Sequence, residues 1–245
     1  MNARRLLVVA AVAASTASAA TVTPSGDAVP ENLLRIELHL EHPLARPLAM
    51  SRVRLLDRDG QAIPGVFLDL PLPAADGRTV ALLLHPGRVK SGVGANLALG
   101  RALHAGDVVT LVVDDPQVGR PLTHRWRVMA AGAMQPARWR VRAPRAGTMG
   151  PLVLGLDATL DASGARLIAL RGPDGERVDG HATLEDGERA WRFRPARAWR
   201  PGHYEVVVHP LLEDVAGDRA CTPFEATDLS DQPCAIDAPG FEVKR

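Results

Sequence analysis

The chain has 245 residues, 46% of them hydrophobic, and a formal net charge of +1. This length leaves room for two domains that each bury a core, and this composition excludes an intrinsically disordered chain. The 29 basic and 28 acidic residues are scattered along the chain, which excludes the broad basic surface that nucleic acid or anionic lipid requires.

Residues 1–20 have the organisation of a secretory signal peptide. Two arginines precede an apolar run at residues 6–14, and small residues at 17–19 supply a cleavage site. The apolar run is too short to cross a bilayer, and no later stretch is apolar enough to do so. We therefore expect cleavage near residue 20, a periplasmic or secreted location, and a mature protein that does not span the membrane.

Alternating apolar and polar residues predict the strands of a first domain at residues 21–131. At residues 34–40, leucine and isoleucine alternate with Arg35, Glu37 and His39, so we expect one buried face and one solvent-exposed polar face. Further strand patterns follow at residues 53–56, 80–85, 108–113 and 124–128, with Asp-Gly turns between some of them. No amphipathic helix pattern occurs after the leader.

The same order of strands and turns recurs after a linker predicted at residues 132–143. The strand at 34–38 has a counterpart at 152–156, and the final strand near Trp126 has a counterpart near Phe224. Each half holds about six or seven short strands. The repeat predicts an all-β protein of two tandem antiparallel β-sandwiches, the second at residues 144–245. Trp139, in the linker, is expected to pack the two domains together.

The second half also carries an ordered set of motifs: WRFRP at 191–195, GHYEVVV at 202–208 and DVAG at 214–217. In this order they resemble the bacterial Ig-like domain of surface-layer and other exported proteins. The first half departs from that pattern, because no tyrosine follows Gly106 and the last turn is reduced to Val118-Gly119. The resemblance implies an Ig-like fold and an extracytoplasmic setting, and it implies no reaction.

Cys221 and Cys234 are the two cysteines of the chain. In an exported protein such a pair most simply forms a disulfide, which here would clip the C-terminal tail. Closing a loop of this length contributes roughly 2–4 kcal/mol on the chain-entropy model. A metal pair or a redox motif is the alternative, and both prefer closer spacing such as Cys-x-x-Cys.

The connection at residues 87–101 is the most individual feature of the first domain. Its Lys-Ser-Gly-Val-Gly order differs from a phosphate-binding loop, in which glycine precedes the lysine, and no βαβ unit surrounds it. Long loops often carry binding residues. We predict a loop for a small anionic ligand or a partner here, with four candidate residues: Arg88, Lys90, Asn96 and Arg101.

Metal binding finds limited support in the sequence, and no cofactor is predicted. His39 and His42 lie three apart on a strand and point to opposite faces unless the strand ends at Pro43, so a polar outer face explains them without a metal. The acidic residues at 213–218 offer too few oxygen ligands for calcium. The sandwich plan is also similar to that of periplasmic copper carriers, but those use an N-terminal histidine that the expected mature chain lacks.

Catalytic motifs are also missing from the mature sequence. No serine after the leader lies in Gly-x-Ser-x-Gly. The paired acids of a glycoside hydrolase meet only in space, so the sequence leaves that activity open. The sequence predicts an exported, non-catalytic binding or structural module whose partner is another envelope protein or polymer. An envelope-polymer hydrolase and a copper-carrier-like metal-binding protein are the alternatives.

Overall fold

The structure is a computed structural model that describes residues 20–89, 94–220, 222 and 236–245. The predicted signal peptide, the predicted disulfide between Cys221 and Cys234, Lys90 of the candidate loop, and the strand predicted near Phe224 all lie outside the described residues. Those predictions therefore stay predictions.

The first half of the chain forms two four-stranded sheets. Their strands are β1 (Thr21–Thr23), β2 (Ala28–Pro30), β3 (Arg35–His39), β4 (Val53–Leu56), β5 (Leu72–Pro73), β6 (Thr79–Leu83), β7 (Val108–Val113) and β8 (Leu122–Met129). One sheet has the order β1-β3-β6-β5 and the other β2-β8-β7-β4. The pairs are antiparallel except β2 with β8, which is parallel. The bounds of β4 and β7 agree with those predicted from the sequence.

The second half repeats this arrangement. Its described strands are β9 (Arg140–Arg142), β10 (Leu152–Gly155), β11 (Ile168–Arg171), β12 (Gly180–Glu185), β13 (Ala190–Pro195), β14 (Gly202–Val208) and β15 (Gly240–Val243). They form one sheet of order β12-β13-β10-β9 and another of order β11-β14-β15. All of these pairs are antiparallel.

Both halves have the strand order of an immunoglobulin-like sandwich. In constant-type immunoglobulin domains, strands A, B, E and D form one sheet and strands C, F and G form the other. In the first unit β1, β3, β6 and β5 take the places of A, B, E and D, and β4, β7 and β8 take those of C, F and G. In the second unit β9–β15 take the places of A to G in chain order. The predicted all-β fold of two tandem Ig-like sandwiches is confirmed.

The second unit has a tyrosine corner, a further feature of Ig-like domains. Tyr204 lies near the start of β14, and its hydroxyl donates to the Arg200 carbonyl oxygen at 3.0 Å. The backbone N–H of Arg200 donates to the same hydroxyl at 3.2 Å. This pair of bonds fixes the connection that leads into β14, and it accounts for the single tyrosine in the chain.

Each unit buries its own core between its two sheets. The first core contains inward residues of both sheets, and its largest side chain is Trp126, whose indole N–H donates to the Pro24 carbonyl oxygen at 3.1 Å. The second core is built on an aromatic cluster that includes Trp191, Trp199 and Tyr204. Aromatic pairs of this kind add packing energy beyond their buried area.

Helices are short. They are α1 (Pro86–Val89) and α2 (Gly94–Leu99), with 3-10 helices at Met50–Arg52, Pro116–Val118, Pro136–Arg138 and Ala162–Leu167. Both α-helices interrupt the connection that was predicted to have no helix. Leu97 and Leu99 of α2 are 79% and 54% exposed, so these leucines do not form the buried apolar stripe that reveals a helix in a sequence.

The segment predicted as a linker belongs in part to the second unit. Within residues 132–143, β9 pairs with β10. Met134 and Trp139 are members of the second core, and the Trp139 indole N–H donates to Asp157 Oδ1 at 3.0 Å. Trp139 therefore packs within the second unit, and the expectation that it packs the two units together is wrong. Residues 213–218 join the units instead.

Candidate functional site

The two units meet at a turn that the second unit inserts into the first. We call residues 213–218 the junction turn. Val215 is 5% exposed and belongs to the core of the first unit, although it follows β14 of the second. Its carbonyl oxygen accepts from the backbone N–H groups of Leu34 and Arg35, at 2.9 and 3.2 Å, and its own N–H donates to the Thr159 carbonyl oxygen at 3.0 Å. One residue thus ties the start of β3 to the second unit.

Ion pairs surround this insertion. The Arg35 guanidinium lies 2.6 Å from Asp161 Oδ2 and 3.6 Å from Glu213 Oε2. Asp161 is 5% exposed; Ser163 donates to its Oδ1 atom, and Arg35 of the other unit supplies the opposite charge. Arg219 holds Glu213 from the other side at 2.6 Å. Leaving a buried carboxylate without its partner is strongly unfavourable, which favours the docked arrangement.

A second contact joins the loop after β1 to the turn between β12 and β13. Both carboxylate oxygens of Glu188 accept from Ser25, one from its backbone N–H and one from its hydroxyl, each at 2.7 Å. Glu188 is 7% exposed. Beside it, a Cβ atom on Gly187 would lie 2.5 Å from Gly26 Cα, so the two backbones touch at a point where only glycine fits.

Replacing Gly187 with alanine is expected to loosen this contact, and Gly175 provides a matched control. Both glycines follow an aspartate in a turn and have positive φ, +65° and +81°, but nothing lies within 4 Å of a Cβ on Gly175. Gly175→Ala should cost about 1–2 kcal/mol of unfolding free energy from backbone strain alone. Gly187→Ala should cost about 1–3 kcal/mol more, because the methyl group meets the other unit. Equal losses in denaturant unfolding would contradict the contact.

Asp214 is the most perturbed titratable group of the junction turn. It is 5% exposed, and burial, followed by the repulsion from Asp218, raises its pKa to about 7. Its Oδ1 atom accepts from the backbone N–H groups of Ala216 and Asp218, both at 2.9 Å. The carboxyl group therefore organises the turn that carries Val215, and near neutral pH it exchanges a proton.

A cleft of about 770 Å³ lies between the two units on one side of this junction. Its lining residues are Glu37, His39, Ala74 and Thr79 from the first unit, and Ala162, Ser163, Ala165, Arg166, Ile168, Ala169, Arg177, Val178, Asp179, Gly180, His181, Ala182 and Phe193 from the second. We call it the interunit cleft. Its volume is within the range of about 300–1,000 Å³ that is typical of ligand sites.

Glu37 and His39, on the polar face of β3, form part of the first-unit wall of this cleft, and Arg35 on the same face pairs with the second unit. This corrects the expectation that the face is an ordinary solvated surface. The side chains of Arg35 and Glu37 are only 31% and 19% exposed. Partial burial, and then the charge of Asp161, raises the pKa of Glu37. The alternation at residues 34–40 predicted the strand, but not that a second unit would cover its polar side.

The cleft brings together a chemically mixed set of side chains. It contains two carboxyl groups, two arginines, two imidazoles and hydroxyl groups, among them Glu37, Asp179, Arg166 and Arg177. Such a set can donate and accept hydrogen bonds and can neutralise charges of either sign. Neither arginine forms an ion pair with another described residue. Both are therefore able to pair with a ligand.

The two histidines considered as metal ligands are separated by the structure. His39 Nε2 lies 3.1 Å from Thr23 Oγ1 and 4.0 Å from Glu37 Oε2, and it lines the cleft. His42 is exposed in the loop beyond β3. Within the described part of the chain, no group of three or more histidine, cysteine or acidic side chains is arranged to hold a metal ion.

No described residue of the candidate loop at residues 87–101 lines the interunit cleft. Arg88 is 4% exposed, and its guanidinium donates to the Leu99 carbonyl oxygen, so it closes the loop from within. Arg101 lies 3.5 Å from Glu31 Oε1. Asn96 lies in α2. A ligand role for Arg88, Lys90, Asn96 and Arg101 stays a prediction. The sequence offered no signal for the cleft itself, because its walls come from distant segments.

Among the described residues, no helix is both long enough and apolar enough to cross a membrane.

Comparisons with known proteins add little to this description. No protein-family model and no curated protein sequence matches the chain. Among solved structures, the tandem Ig domains of titin are 13% identical with a TM-score of 0.24, over 75% of this chain and 82% of that one. Bovine butyrophilin is 11% identical with a TM-score of 0.22, over 82% and 95%. The Ig-like assignment follows from the strand order of both units.

Proposed function

We propose that the protein is an exported, non-catalytic binding module whose interunit cleft receives a partner from the cell envelope. The observation that supports this function is the insertion of Val215 into the core of the other unit. Two Ig-like units joined only by a linker would move relative to each other and would hold no fixed cleft. Docking through a shared core, ion pairs and a glycine contact removes that motion.

A pre-formed cleft favours binding because its walls need not be ordered when the partner arrives. The residues that dock the units, Val215, Arg35, Asp161, Gly187 and Glu188, do not line the cleft. Ser163, which does line it, donates to Asp161. The polar lining suits a partner that carries its own hydrogen-bonding groups. Export and the Cys221–Cys234 disulfide are part of the proposal, since an extracytoplasmic setting permits that bond.

Photo-crosslinking in cells that produce the protein tests the cleft as a binding surface. A photo-reactive residue at Thr79 or Arg166, which line the cleft, should form adducts. The same residue at Met149, which is 53% exposed and is not among the lining residues, should form none. Adducts at Met149 alone, or at none of the positions, would refute the proposal. The intact mass of the same preparation reports removal of residues 1–20 and the loss of two hydrogens in the disulfide.

The hydrolase alternative is favoured by one observation, the presence of Glu37 and Asp179 in a single cleft with the pKa of Glu37 raised. A raised pKa is what a general acid for glycoside hydrolysis requires. Incubation of the mature protein with purified peptidoglycan should release no soluble fragments if the protein only binds. Release that is abolished by Glu37→Gln would establish the hydrolase instead.

A further inference from the structure

The interunit cleft follows the free edge of β12. Successive side chains of a strand point to opposite faces, so a cavity against one face is lined by every second residue. Here residues 177–182 all line the cleft without a gap. The cavity therefore lies against the backbone of this segment. In its sheet β12 is terminal and pairs with β13 alone.

The register of β12 shows which backbone groups point into the cleft. The N–H of Ala196 donates to the Asp179 carbonyl oxygen, and the N–H of Arg189 donates to that of Glu185. Odd-numbered residues of this segment thus direct their polar groups toward β13. In an antiparallel pair the alternate residues direct theirs away. The N–H and C=O groups of Gly180, Ala182 and Leu184 consequently lie on the free edge, and the first two residues line the cleft.

The sequence of β12 lacks two of the residue types that usually protect a free edge from pairing. Exposed edges are commonly blunted by proline, by lysine or by very short length. The six residues of β12, GHATLE, contain neither proline nor lysine. The 3-10 helix Ala162–Leu167 contacts β12 and lines the same cleft.

Two arginines line the cleft close to β12. Arg166 lies in the 3-10 helix that contacts β12, and Arg177 precedes β12; both are exposed, and neither is in an ion pair with a described residue. Of the two acids in the lining, Glu37 lies in the first unit and Asp179 lies between Arg177 and β12.

We infer that the interunit cleft binds an extended acidic peptide segment of a partner protein, which adds as a strand to the edge of β12. This inference rests on the proposed function and names the class of partner. Main-chain hydrogen bonds to Gly180, Ala182 and Leu184 supply affinity that does not depend on sequence, as in other cases of strand addition. Carboxylates on the segment pair with Arg166 and Arg177, which gives a preference for acidic sequences.

NMR titration of the mature protein with two synthetic peptides tests the inference. Both are capped hexapeptides, one alternating valine with aspartate and the other valine with lysine. The acidic peptide should shift the amide signals of Gly180, Ala182 and Leu184, and should bind at least about tenfold more tightly than the basic one. No binding of the acidic peptide, shifts elsewhere, or a preference for the basic peptide would overturn the inference.

Two sets of variants complete the test. Ala182→Pro removes an N–H on the free edge and leaves the β13 pairing intact, because proline is tolerated at such positions. Ala182→Pro should weaken binding of the acidic peptide at least about tenfold, whereas Ala182→Val should leave this affinity unchanged. Should Ala182→Pro fail to fold, the double variant Arg166→Glu, Arg177→Glu should reverse the charge preference. Unchanged affinities in these variants would also overturn the inference. Cleft crosslinks without peptide binding would leave the proposed function standing and reject the peptide as its ligand.

Discussion

Replacing Val215 with aspartate is expected to destabilise the first unit by on the order of 4 kcal/mol, although residue 215 belongs to the second half of the chain. The side chain is 5% exposed and packs in the core that contains Trp126 and Ile36. The substitution removes about 1.5–3 kcal/mol of apolar burial and introduces a carboxylate that has no buried partner there. Unit docking should be lost with it.

Hydrogen exchange resolves this effect by unit. In Val215→Asp, backbone amides of β3 and β7 should exchange faster, because the first core has lost the packing of the Val215 side chain. Amides of β14 should be much less affected. Val207→Asp is the matched control, since Val207 is 37% exposed on β14 and lies outside both cores. Equal and small effects of the two variants would show that Val215 contributes no more than a surface residue.

The second large effect is a pH dependence that Asp214 imposes on stability. Its pKa rises from 3.8 to about 7 on folding, chiefly through burial. Between these values the folded protein holds a proton that the unfolded chain has released. The contribution of Asp214 to stability is therefore greatest below about pH 4, falls as pH rises toward 7, and is constant above that. The difference between the two pKa values corresponds to about 4 kcal/mol of unfolding free energy.

Asp214→Asn should remove this dependence. The asparagine Oδ1 atom can accept from the same N–H groups of Ala216 and Asp218, and it carries no charge at any pH. Denaturant unfolding of the two proteins at a series of pH values should give curves that agree near pH 4 and diverge toward pH 8, with the variant more stable. Parallel curves, or a variant that is less stable at pH 8, would contradict the assignment.

Asp76→Asn serves as a control of opposite sign. Hydrogen bonds from the backbone of Thr79 and Arg78 lower the pKa of Asp76. The stability that Asp76 contributes is therefore present above its ordinary pKa and is lost as pH falls through the lowered value. The difference between Asp76→Asn and the parent protein should shrink at low pH, whereas the Asp214→Asn difference grows with rising pH.

The fold could be predicted from the sequence because its signals are local. The strand patterns predicted at residues 53–56 and 108–113 match β4 and β7, and glycine in the predicted Asp-Gly turns adopts positive φ at Gly60, Gly77 and Gly175. The order of motifs that includes GHYEVVV suggested the Ig-like fold of the second half. In the structure, Tyr204 of this motif forms the tyrosine corner. A strand with one buried face and one exposed face can be recognised from its alternating apolar and polar residues.

The junction and the cleft could not be predicted, because they depend on contacts between distant residues. Asp214, Val215 and Gly217 looked like an ordinary turn, and nothing in their own sequence indicates insertion into another core. Arg35 and Glu37 had the pattern of a solvated face, but Arg35 pairs with Asp161 of the second unit and Glu37 lines the cleft. The helix α2 was missed for a local reason, since its exposed leucines give no amphipathic period.

Docking of the two units into one rigid body can be measured most directly by 15N relaxation of the mature protein. If Val215, Arg35 and Gly187 hold the units together as described, amides of β7 and β14 should report a single overall rotational diffusion tensor. The Val215→Asp variant should separate this into two faster correlation times. Two independent correlation times in the parent protein would show that the units move freely, and no fixed cleft would then exist.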